Sequence, residues 1–253
     1  MTDKAIKEAN PLALELAPGV TLELVRVAAG EFLMGSKDAD EQADPSEKPQ
    51  HKVYLDEYLI GKYPVTVAQF AVFAQATHYK TTGKADVQKK GKHPAVGVNR
   101  SSAAAFCEWA SQVTGRAVRL PTEAEWEKAA RGTDGRIYPW GDAFDENLLN
   151  SSEGDKGDTT PVGSYPGGAS PYGALDMAGN VWEWCVDWFA EEYYQNSPAQ
   201  NPTGPRAGDY RVARGGSFTD LQDDTRCAAR LNSLPNSQDN AQGFRVAVSL
   251  ARH

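Results

Sequence analysis

The sequence predicts an α+β protein in which short helices pack on small antiparallel sheets, with much irregular loop. Period-two apolar alternation occurs near both ends, at Leu22 and Leu24 and again at Phe244, Val246 and Val248. Between them lie short segments that carry helix start and stop signals. From Tyr138 onward the chain is rich in turn residues and keeps no sustained period.

Residues 1–18 read as a flexible lead-in and 19–253 as a single domain, because no repeat, low-complexity tract or linker divides the chain. Thr21 to Val27 reads as a strand. Glu31 to Gly35 reads as its hairpin partner, turned at Ala29-Gly30. Ser36 to Gln50 is acidic and reads as a solvated loop. Lys52 to Ile60 reads as one further strand. Thr66 opens a helix, with Gln69 completing a capping box and Val67, Phe70, Phe73 and Ala74 as its apolar stripe. A second helix is expected from a cap at Ser101 or Ser102 to Gly115, burying Phe106, Trp109, Ala110 and Val113. A third starts with the Thr122/Glu125 capping box and stops at Gly132. Glu123, Glu125 and Glu127 stand near its positive end and Arg131 near its negative end, so helix electrostatics account for these charges.

The net charge of −8 and pI near 5.1 argue against a nucleic-acid partner, since phosphate would be repelled. Three widely spaced cysteines, Cys107, Cys185 and Cys227, form neither a disulfide framework nor a zinc ribbon. The chain opens without an apolar leader and holds no apolar run of membrane-spanning length. The expectation is a cytoplasmic protein in a reducing compartment, with no membrane partner.

The stretch from Gly173 to Trp188 is the most unusual. Trp182 and Trp184 alternate with Glu183, which separates an aromatic face from an acidic one. Asp176 and Glu183 are hard oxygen donors close enough to share an ion with intervening carbonyls. The competing reading is a Trp-rich turn with its acids in water.

Ordered motifs then narrow the reading. They are Gly30 to Gly35, Tyr63-Pro64-Val65-Thr66, Arg119 to Gly132, Tyr138 to Asp142 and Thr160 to Tyr165. Asp176 to Trp188, Arg214-Gly215-Gly216-Ser217-Phe218 and Gly243-Phe244-Arg245 follow. Together they resemble the formylglycine-generating-enzyme, or sulfatase-modifying-factor, domain family. The resemblance implies a variant of the C-type lectin-like fold. It also implies structural calcium, held by Asp176, the Gly179 and Val181 carbonyls, and Glu183. A second site would use Asn147, the Leu148 carbonyl, Asp155 and the Gly157 carbonyl, with Asp158 as the alternative acid.

The family's enzymes oxidise a substrate cysteine with oxygen and hold copper(I) between two thiolates, soft ligands suited to that ion. The matching interval, Phe218 to Arg226, contains no cysteine, so no copper and no catalytic residues are expected. The four histidines, His51, His78, His93 and His253, show no ligand spacing for an iron-dependent branch either. Two readings stay open. One is a non-catalytic module displaying a polar segment of about 218–242 to a protein or other macromolecule. Phe218, Thr219, Asp220, Asp223, Asp224, Leu231, Asn232, Ser233, Leu234, Asn236 and Asp239 would form its contact surface. Its richness in Asn, Asp, Ser and Thr resembles the variable proteins of diversity-generating retroelements. Arg214, Arg226, Arg230 and Arg245 would support the segment or serve the core alone. The other reading is an oxygen-dependent oxidoreductase with a non-standard metal site.

Overall fold

The computed structural model describes residues 12–80 and 87–250. The first eleven residues of the expected lead-in, and 251–253 of the expected domain, lie outside the described residues. The central sheet has the order β1-β2-β5-β11-β6. Its strands are β1 (Leu12–Ala17), β2 (Val20–Val27), β5 (Tyr58–Gly61), β6 (Val118–Arg119) and β11 (Ala247–Ser249). A second sheet has the order β10-β7-β8-β9. It comprises β7 (Trp182–Trp188), β8 (Arg211–Arg214), β9 (Arg230–Ser233) and β10 (Gln242–Gly243). β3 (Gly30–Met34) and β4 (His51–Leu55) form a separate ribbon. Among the described residues four α-helices accompany these sheets: α1 (Val67–Thr77), the short α2 (Val87–Lys90), α3 (Arg100–Thr114) and α4 (Glu123–Arg131).

The lead-in reading is corrected at its C-terminal end. Leu12, Leu14 and Leu16 alternate with exposed or half-buried residues and bury against the core as β1. This strand also displaces the expected hairpin. β2 pairs with β1 on one edge, Leu12 opposite Leu24, and with β5 on the other, Val25 opposite Ile60. Both edges being filled, β3 leaves and pairs with β4, Phe32 opposite Val53. The single strand expected over 52–60 accordingly breaks at Asp56-Glu57, and its halves enter different sheets.

The caps of α1 and α4 form as read, with Thr66 and Thr122 accepting from Gln69 N–H and Glu125 N–H. The cap of α3 is Asn99. Its Oδ1 accepts from Ser102 N–H at 2.9 Å and from the hydroxyls of Ser101 and Ser102. Phe106, Trp109 and Ala110 are buried, whereas Val113 is 47% exposed because it lies on the last turn, beyond the sheet. The terminal alternation buries Phe244, Val246 and Val248 as read, but only Ala247–Ser249 pairs as a longer ladder.

The central sheet is covered on both faces. On one side Leu24, Leu59 and Val248 meet Phe70, Phe73, Phe106 and Trp109. On the other, Val25, Val27 and Ile60 meet Trp126, Ala129 and Ala130 of α4. All residues of α4 are buried, charged ones included. The dipole account of its glutamates is therefore incomplete, because a buried carboxylate needs a partner. Glu127 bonds Gly35 N–H and Arg131, each at 2.7 Å, and also pairs with Arg214. Glu123 forks Arg230 at 2.7 and 3.0 Å. Lys128 reaches back to the carbonyls of Ala28 and Gly30, both at 2.8 Å.

Glu127→Gln leaves Arg131 and Arg214 short of a counter-charge, and we expect a loss of about 3–5 kcal/mol in urea unfolding. Asp187 offers a pH test. Its Oδ2 accepts Glu123 N–H at 2.8 Å, and burial, with Glu123 as second cause, raises its carboxyl from 3.8 to about 8. A carboxyl raised on folding contributes stability fully below its unfolded value and loses it as pH rises through the folded one. Asp187→Asn keeps an acceptor. Its stability relative to wild type should therefore be flat below pH 3.8 and grow up to about 8, measured by urea titration across pH.

Candidate functional site

The displayed segment stands on a base of arginines that leave β8, β9 and the loops beside them. Arg214 donates to the carbonyls of Cys227, Ala228 and Ala229 at 2.9, 2.6 and 2.7 Å. Arg226 forks Glu47 at 2.7 and 2.8 Å and reaches the Gln42 carbonyl. Arg230 forks Glu123, donates to the Ser46 carbonyl, and lies over the rings of Phe189 and Tyr194. Arg245 forks Glu183 at 2.5 and 2.7 Å. All four arginines are thus structural. Glu47 corrects the solvated reading of 36–50, since it is 1% exposed and is the ion partner of Arg226.

On this base the expected contact residues separate into two groups. Thr219, Asp223, Asp224, Asn232, Leu234, Asn236 and Asp239 are exposed. Phe218 and Leu231 are half-buried. Ser233 is buried and donates to Gln242 Oε1 at 3.1 Å, so it faces the core side of β9. Asp220 is an internal tie. Its Oδ2 accepts from Trp182 Nε1–H at 2.8 Å, from Ser217 N–H at 2.9 Å and from the Ser217 hydroxyl. Leu221 was not among the expected residues, yet it is 60% exposed. A lone leucine in a polar run, Thr219-Asp220-Leu221-Gln222-Asp223, is the signal that could have marked it.

Glu183 and Asp176 are both buried, which rules out the reading that leaves these acids in water. Glu183 Oε2 accepts from Trp126 Nε1–H and Arg245 Nε, and Oε1 from Arg245 Nη2. Arg245 Nη2 also donates to the Asp176 carbonyl at 3.1 Å. Asp176 Oδ2 accepts Gly163 N–H at 2.7 Å, and the Gly179 carbonyl accepts Val181 N–H. A guanidinium already supplies the positive charge that this segment encloses. Arg245 thus meets both oxygens of Glu183, which sets it in competition with calcium for that carboxylate.

The second set is largely exposed. Asn147 is exposed and donates to Asp145 Oδ1, and Asp155 and Gly157 are exposed in the left-handed region. Leu148 turns its carbonyl toward Gly168, where an added Cβ would meet it at 2.0 Å. Asp158, the alternative, pairs with Lys90 at 2.6 Å. Among the described residues no group of three or more His, Cys, Asp or Glu side chains could hold a metal. Asn150, not singled out from the sequence, is 1% exposed with an unpartnered Oδ1. It lies against Gly179, where any Cβ would meet the Asn150 carbonyl at 2.3 Å, and this explains the glycine there.

The three cysteines are buried and unpaired. Burial pushes the Cys107 and Cys227 thiols up to about 12 and raises Cys185 as well. These are poor thiolates, and the copper(I) site of the family's enzymes is a thiolate pair. The donor set does not fit copper.

Comparison with known proteins follows the same lines. Residues 15–250 match the model of the sulfatase-modifying factor enzyme 1-like domain. The formylglycine-generating enzyme of Streptomyces coelicolor is 34% identical, over 96% of this chain and 93% of its own length. A serine/threonine-protein kinase pkn1 of Chlamydia caviae is 37% identical over 89% of this chain, which spans only 38% of that relative. Among solved structures, PvdO from Pseudomonas aeruginosa superposes with a TM-score of 0.84 at 27% identity, covering 95% of this chain and 98% of its own. Treponema denticola variable protein 1 superposes with a TM-score of 0.80 at 27% identity, covering 94% and 98%. The expected α+β fold of the C-type lectin-like, formylglycine-generating-enzyme type is the observed one.

Glu183→Gln strips Arg245 of its full counter-charge, and we expect a loss of about 3–5 kcal/mol in thermal or urea unfolding. The loss should be equal in calcium and in EDTA. A loss seen only in calcium would restore the ion to Glu183. A calcium shift lost in Asn150→Ala would assign it to Asn150 instead.

Proposed function

The chain belongs to the sulfatase-modifying-factor-1-like domain family, and from that premise we propose that it is a non-catalytic ligand-binding module. Its contact surface is the face of 218–242. One observation carries the reading: with few exceptions, the residues that hold this segment and the residues it presents are different residues. Arg214, Arg226, Arg230, Asp220 and Ser233 tie the backbone to buried partners. Thr219, Leu221, Asp223, Asp224, Asn232, Leu234, Asn236 and Asp239 point to solvent. Irregular surface on a fixed scaffold suits recognition. Leu221 and Leu234, 60% and 53% exposed, supply apolar contact amid polar neighbours.

The likeness to a protein named a variable protein supports the finer reading, that the segment is diversified by a retroelement. The partner class is a protein or other macromolecule, because the face is broad and mixes apolar with polar side chains. The acidic chain disfavours nucleic acid. No helix among the described residues is long and apolar enough to cross a membrane. The competing oxidoreductase reading would have to use a metal site other than the thiolate pair of the family's enzymes.

The test is a library randomised at the eight exposed positions and screened for folding by protease resistance. Most members should fold, since surface substitutions away from caps and ion pairs shift stability by about 0.5 kcal/mol or less. Randomising Asp220, Arg226 and Arg230 should abolish folding in most members. Equal damage from both libraries overturns the display reading. The retroelement part fails if neighbouring DNA holds no reverse transcriptase and no adenine-rich copy of the codons for 218–242. Oxygen uptake on a cysteine peptide with copper(I) would replace both with catalysis.

A further inference from the structure

The Tyr138 to Asp142 motif takes no part in the displayed face, yet the chain builds a tight turn from it. Tyr138 N–H donates to the Gly141 carbonyl at 2.8 Å, and Gly141 N–H to the Tyr138 carbonyl at 3.1 Å. Pro139 and Trp140 are thereby held at the tip, where the proline ring fixes one backbone angle. Asp142 Oδ1 braces the turn by accepting Ile137 N–H at 3.1 Å. The Ile137 carbonyl accepts Cys227 N–H at 2.8 Å, which anchors the turn to the chain just before β9.

The turn fixes one indole. Trp140 stacks on Tyr138, with ring centroids 5.3 Å apart and an interplanar angle of 8°. Tyr138 is buried and packs in turn against Phe144. Trp140 Nε1–H donates to the Ala143 carbonyl at 2.9 Å. The Cε3 edge lies against Gly168, 3.7 Å from where a Cβ would stand. Protein thus covers one face and two edges of the indole, and Trp140 stays half-buried. Its remaining surface lines a cleft of about 570 Å³, within the span of small-molecule sites, about 300–1,000 Å³.

The other walls are polar and carry no net charge. Lys37, Arg131 and Arg136 are balanced by Asp40, Asp134 and Asp142. Most of these are spent on protein partners: Arg131 on Glu127, Arg136 on Asp134, and Asp40 on Arg226. Lys37 is exposed and has no carboxylate at ion-pair distance among the described residues. Gln50 is fixed by donating to the Gly35 carbonyl at 3.1 Å, and its amide oxygen has no partner among the described residues. Asp142 spends only Oδ1 on the turn, and Oδ2 is likewise unpartnered among them. A balanced cleft favours neither an anion nor a cation, and a neutral ligand rich in donors and acceptors matches it.

We propose that this cleft binds a neutral sugar, its ring stacked on Trp140 and its hydroxyls bonded to Lys37, Gln50 and Asp142. The slightly positive hydrogens on a sugar ring's C–H bonds meet the negative face of the indole. Each hydroxyl both donates and accepts, so one sugar can use an ammonium, an amide oxygen and a carboxylate together. A flat aromatic ligand would stack as well, but would leave these polar groups without partners. The proposal goes beyond the display reading, because the contacts come from residues outside 218–242. The cleft still borders that segment: Asp40 pairs with Arg226, and the Tyr138 hydroxyl donates to the Gln222 carbonyl at 3.3 Å.

The experiment uses the whole chain, isotope-labelled. Cellotriose, maltotriose, mannotriose and chitotriose, all neutral, are titrated in separately. The indole N–H of Trp140, the side-chain amide of Gln50 and the backbone N–H of Gly141 are followed by NMR. Saturable shifts at all three are expected with at least one of the four sugars. Lys37→Ala should weaken that sugar roughly tenfold, the loss of one charged hydrogen bond. Trp140→Leu keeps an apolar side chain but no ring face, and should weaken it by about tenfold as well. Arg206→Gln, in a different cleft, should leave the titration unchanged. Thermal melts of each variant report folding. Lys37 is exposed and unpaired, so its variant guards against a Trp140→Leu that fails to fold. Shifts that never saturate with any of the four sugars, or unchanged affinity in folded Lys37→Ala and Trp140→Leu, overturn the site. Saturation of the same resonances by adenosine, with all four sugars failing, overturns the sugar assignment. The titration reads the cleft and the display library reads 218–242, so either can fail without the other.

Discussion

A charge taken out of water has to meet an opposite charge, and this fold is arranged around that constraint. Helix α4 carries glutamates into the middle of the molecule, where no water can solvate them. Each of Glu123 and Glu127 draws in an arginine from the second half of the chain. Those arginines spend their remaining donors on backbone carbonyls that have no strand or helix to satisfy them. In this way the irregular part of the chain, which has little regular secondary structure, acquires fixed positions.

The pairing also separates two tasks that loops usually combine. In many binding loops the residues that make contact also hold the loop's shape. Here the Gly215-Gly216-Ser217 turn, Asp220 and the arginines set the shape from below. An added Cβ at Gly216 would meet the Asp224 carbonyl at 2.9 Å, so even the turn is fixed by close backbone approach. The outward side chains carry almost none of that work. The exceptions are Asp223, whose Oδ1 accepts from Gln42 Nε2 at 2.7 Å, Asp239, whose Oδ1 accepts from Ala241 N–H at 2.7 Å, and Thr219, whose hydroxyl lies 2.8 Å from that of Ser217.

Local signals in the sequence were sufficient wherever the physics is local. Thr66, Thr122 and Gly132 mark helix ends because caps act within one turn. The core faces of α1 and α3 follow from helical spacing, apart from Val113 on the last turn of α3. Strand partners were not legible. Glu31 to Gly35 looks like a partner for β2 until β1 and β5 are known to occupy both its edges. The ion pairs were equally hidden, because Glu47 and Arg226 sit 179 residues apart and neither carries a pattern that names the other. The partner of a calcium ligand implied by resemblance was hidden for a related reason. Glu183 looks like a ligand by type, but its role depends on Arg245, which sequence order places far away.

Those distances bear on how the protein is made. Arg226 reaches Glu47, Arg230 reaches Ser46, and Arg245 reaches the Gly61 carbonyl, over separations of 179, 184 and 184 residues. During synthesis Glu47, Ser46 and Gly61 wait for these partners until residues 226–245 have left the ribosome. The central sheet cannot close earlier either, since β11 is its penultimate strand in space and its last in sequence. Long-range closure of this kind slows folding and exposes unfinished sheet edges meanwhile. The late arginines thus act as a completion signal, and native structure around residues 46–61 is a report that residues 226–245 have arrived.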